Sequence, residues 1–372
     1  MDMANYPENI LHDPDNFKDR NVPIQGTSST SHLTMGFIGF GKSTQRYHLP
    51  YLKMRPHIHV KTIYNRRLKP EMENHPHINF TTDLDELLQD PQIQLISITT
   101  TGPSHYDFAK KSLEAGKHVL VEKPFMETVA QTKELLELAN SKNLMLMPFQ
   151  NRRFDADFLA TKKVLETGFL GDLIEIETHY DYFRPSTASN FGTPVDGFVY
   201  GHAVHLLDRM ISLFGRPHKV FYDVRNVRTG VGLDDYHDIH LFYDRFKVIC
   251  KSQHLVKIPY PQFRVQGSKG TFIKFGIDTQ EYDLKAGIMP WDEGFGEDNT
   301  YNYGKLEYLN QNGDTIKREL KTPQGDYGKV YDHVADTILN GAPKLISDEE
   351  ILTVMEIMER AYEAPSPHII DL

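Results

Sequence analysis

Apolar positions fall along this chain in two rhythms. From Met35 onward, short apolar runs alternate with amphipathic stretches. M-G-F-I-G (35–39) reads as a buried strand and K-S-T-Q-R-Y-H-L-P-Y-L-K-M (42–54) as a helix. H-V-K-T-I-Y (59–64) and I-N-F-T (78–81) predict two further strands. T-D-L-D-E-L-L (82–88) predicts a helix capped by Thr82 with an acidic first turn. Q-L-I-S-I-T-T (94–100) is strand-like, and P-S-H-Y-D-F-A-K-K-S-L-E-A-G (103–116) is a helix with Pro near its start and Gly past its end. K-H-V-L-V-E-K-P (117–124) is a strand stopped by proline, residues 128–143 a helix, and N-L-M-L-M-P (143–148) a closing strand. Such alternation predicts an α/β fold, a doubly wound parallel sheet with helices on both faces.

After Pro148 the rhythm changes. One amphipathic helix (157–168) leads into the long strand L-I-E-I-E-T-H-Y-D-Y-F (173–183). A helix carrying His202 and His205 ends near F-G-R-P (214–217), and β-like runs follow at 219–228, 237–243, 246–254, 263–267 and 271–276. Consecutive strands with short turns predict a large open, mostly antiparallel sheet, and two helices (327–339 and 348–361) complete an α+β domain.

Composition narrows the partners. The 372 residues suffice for two cores, and 51 acidic against 41 basic side chains give a net charge of -10. That balance argues against nucleic acid, which requires a basic face. A small-molecule substrate is the expected partner. The single cysteine, Cys250, excludes an intramolecular disulfide framework. No apolar run reaches the ~18–20 residues of a membrane span, so no membrane partner and a cytoplasmic location are expected. The first 34 residues are acidic and rich in Pro and Asn, without the features of a signal or transit peptide, and read as a flexible arm.

G-F-I-G-F-G-K-S-T ends the first strand and opens the first helix. There Gly39 and Gly41 would form the tight turn and let backbone approach a pyrophosphate at the helix start, flanked by Lys42, Ser43 and Thr44. Thr44 stands where a third glycine is usual, which predicts slightly wider helix–strand packing. The second strand ends in Tyr64, Asn65, Arg66 and Arg67 with no carboxylate for a ribose hydroxyl. A guanidinium there suits a 2′-phosphate, so NADP is favoured over NAD. The expected organisation is an arm over 1–32, a Rossmann dinucleotide-binding domain over 33–148, and a substrate and oligomerisation domain over 149–372.

With E-A-G-K-H-V-L-V-E-K-P (114–124), T-T-G-P-S-H (100–105), Q-N-R-R-F-D (150–155) and the segment Ala203 to His205, the chain from about Leu33 onward resembles the glucose-fructose oxidoreductase and inositol dehydrogenase family. The similarity extends to a bacterial oxidoreductase branch of it. The resemblance implies a Rossmann domain followed by an open-faced sheet domain that pairs into homodimers or homotetramers. It implies that Thr100, His105, Glu122 and Lys123 lie at the cofactor, with Lys123 also beside the substrate. An ammonium there stabilises developing alkoxide and can pass a proton.

In polyol-oxidising relatives the later segment reads roughly L-x-D-x-G-x-H. Aligned on its final histidine, His205 matches the family's catalytic residue, Gly201 replaces its Asp, and His202 matches nothing. A neutral imidazole with a pKa near ~6.5 can exchange the substrate proton. A zinc reading of His202, His205 and Asp208 lacks a recognisable motif, and no metal is expected. Asp208 instead reads as a helix-bracing carboxylate. Asn151, Arg152, Tyr180 and Tyr200 are the candidate substrate-binding residues. Of Arg152 and Arg153, one is expected at substrate oxygens and the other bracing Asp155 or Glu122. Alternation lets only some of Tyr180, Asp181 and Arg184 face the site. The histidines of H-D-I-H (237–240) are given no role.

The function expected is NAD(P)-dependent hydride transfer between nicotinamide and a carbonyl or secondary alcohol of a sugar-like or polyol-like molecule. The alternative is a non-catalytic NAD(P)-binding sensor or transcriptional regulator of the same fold, for which the Gly201 replacement leaves room. Presence of both Lys123 and His205 favours the enzyme.

Overall fold

The computed structural model describes residues 32–186 and 192–372, so nearly all of the expected N-terminal arm lies outside the described residues. A six-stranded parallel sheet forms first: β1 (Leu33–Ile38), β2 (Ile58–Tyr64), β3 (Asn79–Thr81), β4 (Leu95–Ile98), β5 (His118–Val121) and β6 (Leu146–Pro148). Its order is β3-β2-β1-β4-β5-β6, so the chain reverses direction across the sheet between β1 and β4. Ligands of open α/β sheets bind at that switch point, beyond the carboxyl ends of the strands. Near-continuous apolar runs build the sheet because both of its faces are covered. In β1, Leu33, Met35, Phe37 and Ile38 are all 0% exposed. Each such side chain contributes about 1.5–3 kcal/mol of transfer free energy.

The covering helices are α1 (Leu49–Lys53), α2 (Leu84–Leu88), α3 (His105–Glu114) and α4 (Val129–Ser141). A π-helical turn, Thr44–His48, precedes α1. At α2 the sequence expectation needs correction, since Asp83 and not Thr82 is the cap: its side chain accepts from the Asp85 N–H. Thr128 caps α4 by accepting from the Gln131 N–H.

Helix α5 (Ala156–Thr167) leads into the second sheet, which comprises β7 (Leu173–Asp181), β8 (Lys219–Arg225), β9 (Tyr236–Phe242), β10 (Lys247–Gln253), β11 (Phe263–Gly267), β12 (Gly270–Lys274), β13 (Gly304–Leu309), β14 (Thr315–Leu320) and β15 (His368–Asp371). The order is β14-β13-β12-β11-β7-β10-β9-β8-β15. Only the pairing of β10 with β7 is parallel; the others are antiparallel. A π-helical turn at Val199–Ala203 runs into α6 (Val204–Phe214), and α7 (Gln280–Ala286), α8 (Lys329–Asn340) and α9 (Asp348–Arg360) complete the described helices. In α6 the residues from Val204 to Ile211 are all buried, and the helix packs on α9.

Arg153 fixes part of this packing. Its Nε and Nη2 each donate to Asp208 of α6 at 2.9 Å, and Nη2 also reaches Glu350 of α9 at 3.0 Å. Asp208 therefore braces its helix, as its position beside the histidines suggested.

Candidate functional site

The turn after β1 has the conformation that its glycines permit. Gly39 has φ +110°, and an added Cβ would sit 3.1 Å from Thr99 Oγ1. A Cβ on Gly41 would meet nothing within 4 Å, so its backbone borders open space. Thr44 is fully buried and donates to Gly39 O at 3.0 Å, while its hydroxyl also lies 2.8 Å from that of Thr99. The third-glycine position is thus a hydroxyl that latches the turn to the end of β4. Asn65 Oδ1 accepts from the Phe40 N–H at 3.1 Å, tying the end of β2 to the same turn. Arg66 and Arg67 are exposed, and neither forms an ion pair among the described residues. Lys42 is exposed on the first helical turn.

Below the turn, a cavity of about 270 Å³ is lined by Ser43, Thr100, Glu122, Lys123, Asn151 and Arg152, together with Tyr47, Thr99, His205, Glu281 and Tyr327. A second cavity, of about 200 Å³, shares Lys123, Arg152, His205 and Glu281, so the two form one cleft. Tyr180 lines the second part. Ser43, Thr100, Glu122, Lys123, Asn151, Arg152, Tyr180 and His205, half of the residues expected at the site, therefore converge here from strand ends and turns separated in sequence.

Glu122 is held on several sides. Ser43 donates to its Oε1, His48 Nε2 lies 3.0 Å from that oxygen, and the Lys123 N–H donates to Oε2 at 3.0 Å. Burial alone would raise its pKa, but the contacts with His48 and Ser43 and the Lys123 charge win, holding it down at about 2. His48 Nδ1 in turn lies 2.6 Å from the Tyr331 hydroxyl.

Lys123 begins a cis Lys123–Pro124 peptide, and its Nζ donates to Gly201 O at 3.1 Å. Burial lowers its pKa, and the Arg152 charge adds to that. His205 is 5% exposed, and its Nδ1 has no hydrogen-bond partner among the described residues. Burial pushes its pKa well below the ordinary value, with Lys123 and Arg152 acting in the same direction. The imidazole is neutral at pH 7, with proton-accepting capacity unspent.

Arg152 donates to Asp155 at 3.2 Å and to Glu281. The Tyr180 hydroxyl also donates to Asp155, at 3.0 Å. Burial raises the Asp155 pKa to about 6 against the opposing pull of Arg152. Glu281 accepts from Tyr47 at 3.1 Å and lies 2.5 Å from Lys285. Burial opposes its ionisation, but Arg152 and Lys285 prevail and hold its pKa at about 2.

Three expected site residues lie differently. Tyr200 is 2% exposed, and its hydroxyl donates to Glu127 O at 3.1 Å while its ring stacks on Tyr362. It belongs to the packing between α6 and its neighbours and does not line the cleft. His105 is 1% exposed, with Nδ1 2.9 Å from Pro124 O and Nε2 3.0 Å from Thr100 O. It ties two cleft loops together from behind and has no free edge for a cofactor. Arg153 pairs with Asp208 and Glu350 and does not brace Asp155 or Glu122 as expected; Arg152, the arginine that lines the cleft, holds Asp155 itself. Conversely, Tyr47, Thr99, Glu281 and Tyr327 were not anticipated. Glu281 had an available signal: D-T-Q-E-Y-D-L-K-A-G places Thr and acids at a helix start and Gly at its end. No group of three or more His, Cys, Asp or Glu residues able to hold a metal occurs among the described residues.

The site fits a dinucleotide. Glycine backbone borders open space at the switch point, and polar side chains surround a cleft at the carboxyl ends of β1, β4 and β5.

Comparison with known proteins agrees. Residues 33–150 match the family model for the NAD-binding Rossmann fold of an oxidoreductase family, and residues 162–368 match that family's C-terminal alpha/beta domain. The chain is 51% identical over 343 residues to the Escherichia coli oxidoreductase YhhX, covering 91% of this chain and 99% of the relative. It is 30% identical over 345 residues to scyllo-inositol 2-dehydrogenase (NADP(+)) IolW of Bacillus subtilis, covering 92% and 96%. The crystal structure of a Bacillus cereus oxidoreductase superposes with a TM-score of 0.90 at 53% identity, covering 91% and 98%. The chain belongs to the GFO/IDH/MocA oxidoreductase family.

Proposed function

We propose that this protein is an NADP-dependent oxidoreductase acting on a carbonyl or secondary alcohol of a sugar-like or polyol-like molecule. The observation that carries the reading is the meeting of Lys123 and His205 in one cleft beneath the glycine turn. The turn at Gly39 and Gly41, with Ser43, Thr100, Asn65 and Arg66 around it, would hold the nucleotide. The bound nicotinamide supplies the hydride acceptor or donor.

Every other step belongs to the chain. In the oxidation direction the substrate hydroxyl lies between Lys123 Nζ and the His205 imidazole. His205, neutral because buried, accepts the hydroxyl proton as the C–H bond is broken. The Lys123 ammonium keeps two N–H groups beyond the one spent on Gly201 O, and these stabilise the developing alkoxide. In reduction His205, which rests neutral, first takes a proton from solvent and then passes it to the forming alkoxide. Arg152, clamped by Asp155 and Glu281, orients substrate oxygens at the same wall. Similarity to an NADP-dependent inositol dehydrogenase supports both the cofactor and the substrate class.

Incubating the purified full chain with NADPH or NADP and a panel of sugars, inososes and small carbonyls tests this reading. Substrate-dependent absorbance change at 340 nm is the expected result. Cofactor binding without turnover of any member would favour a sensor.

A further inference from the structure

The part of the cleft away from the glycine turn carries an excess of positive charge. Lys123, Arg152, Arg184 and Lys285 face the cavity of about 200 Å³, whose lining includes one carboxylate, Glu281. Their partners are unevenly shared. Arg152 has Asp155 and Glu281, and Lys285 has Glu281. Lys123 Nζ donates to a carbonyl, and Arg184 forms no ion pair among the described residues.

Arg184 is exposed at the mouth of the cavity, but its backbone is anchored. Its N–H donates to His254 O at 2.8 Å, and the adjacent Phe183 bridges to Leu255, which anchors this segment to the one following β10. Its guanidinium lies over the Tyr182 ring, 4.1 Å from the centroid. A stacked guanidinium keeps its planar fork of donors free for a two-oxygen anion. Nearby, Gly201 adds no side chain: a Cβ there would meet nothing within 4 Å. The wall that carries His205 is therefore open and without an acid to repel an anion. His202, which also lines the cavity, is pushed by burial well below its ordinary pKa and is neutral at pH 7.

We propose that the substrate carries a carboxylate or phosphate group and that Arg184 binds it, making the substrate a sugar acid or sugar phosphate instead of an uncharged polyol. The inference rests on the oxidoreductase reading above for the identity of the reacting end. Unmatched cations lining a cleft raise the local concentration of anions. Arg184 supplies the directional contact, and Lys285, held by Glu281, adds charge beside it. The reacting carbon, at Lys123 and His205, is separate from the anionic group.

The test compares uncharged and anionic versions of one skeleton on the full chain loaded with NADP: D-glucose, D-glucuronate and D-glucose 6-phosphate, and myo-inositol with its monophosphate. Binding is read by calorimetry and turnover by absorbance. At least one anionic probe should bind about tenfold or more tightly than its uncharged counterpart, the effect of one charge-assisted contact. Arg184→Ala should erase that preference, and Arg184→Lys should restore part of it. The glucuronate and phosphate arms distinguish the two oxyanions. Equal or better binding of the uncharged probes, a preference that survives Arg184→Ala, or no anionic binding at all would overturn the inference. Arg184-dependent anion binding without turnover would leave it standing and contradict the oxidoreductase reading instead.

Discussion

Lys123 Nζ, at the end of the first sheet, donates to Gly201 O, in the turn that leads to His205, at 3.1 Å. The contact spans 78 residues of sequence and sets the two proposed proton-handling groups against each other. Because both act on one substrate oxygen, Lys123→Ala should lower kcat roughly a hundredfold or more. Combined with His205→Ala, the losses should fall well short of multiplying. Steady-state kinetics on the two single variants and the double variant measures this.

The pH profile should show where burial has placed His205. An ordinary histidine loses its basic form as pH falls through about 6.5. Here burial, Lys123 and Arg152 all disfavour the imidazolium, so the neutral base persists well below that value. In the oxidation direction kcat/KM should stay level as pH falls through about 6.5 and decline only further down. A half-maximal point near the ordinary histidine value would show that the base is exposed or is another residue.

Cofactor choice should depend on Arg66. It lies exposed just beyond β2, with no carboxylate neighbouring it in Tyr64-Asn65-Arg66-Arg67. NADPH should therefore bind more tightly than NADH. Arg66→Ala should erase much of the difference, since one charge-assisted phosphate contact contributes about 1.5–3 kcal/mol. Fluorescence titration with both nucleotides checks this, and equal affinities for the unaltered protein would remove the basis for the NADP assignment.

Stability should be sensitive to Arg153. Its guanidinium and the Asp208 carboxylate have side chains only 8% and 3% exposed. Arg153→Met would leave Asp208 buried without its bidentate partner, at a cost of about 3–5 kcal/mol. Urea unfolding of the variant should show that loss, whereas Arg152→Met should affect catalysis more than stability.

How much of this was legible in the sequence depended on how local each signal was. Strand β1 could be read because Gly39 and Gly41 follow an apolar run directly, and α3 because Pro and Gly bracket it. Strand β13 alternates cleanly between buried and exposed residues, yet its neighbour β14 has one buried residue and β15 none. Edge strands of that kind carry little apolar signal. At the site, the Lys123 and His205 assignments came from motifs. For Glu281 the sequence offered its helix start, but its meeting with Tyr47 across 234 residues is a product of tertiary structure. Adjacent arginines were harder still. Arg152 and Arg153 have the same local sequence, but the short 3₁₀ turn at Asn151–Phe154 sends one to the cleft and the other to α6. Tyr200 misled because it precedes the histidine segment in sequence, while the π-helical turn carries its ring away toward Tyr362.

Whether His205 moves the substrate proton is decided by comparing His205→Ala with His202→Ala. Both imidazoles line the same cavity, but His202 packs its ring on Phe198, with centroids 3.9 Å apart. Turnover and NADPH affinity should be measured for each variant on a substrate found in the panel. His205→Ala should lose roughly a hundredfold or more in turnover with NADPH affinity unchanged, and His202→Ala should lose less than about tenfold. Activity that survives the loss of His205 but collapses with the loss of His202 would contradict the role proposed for His205.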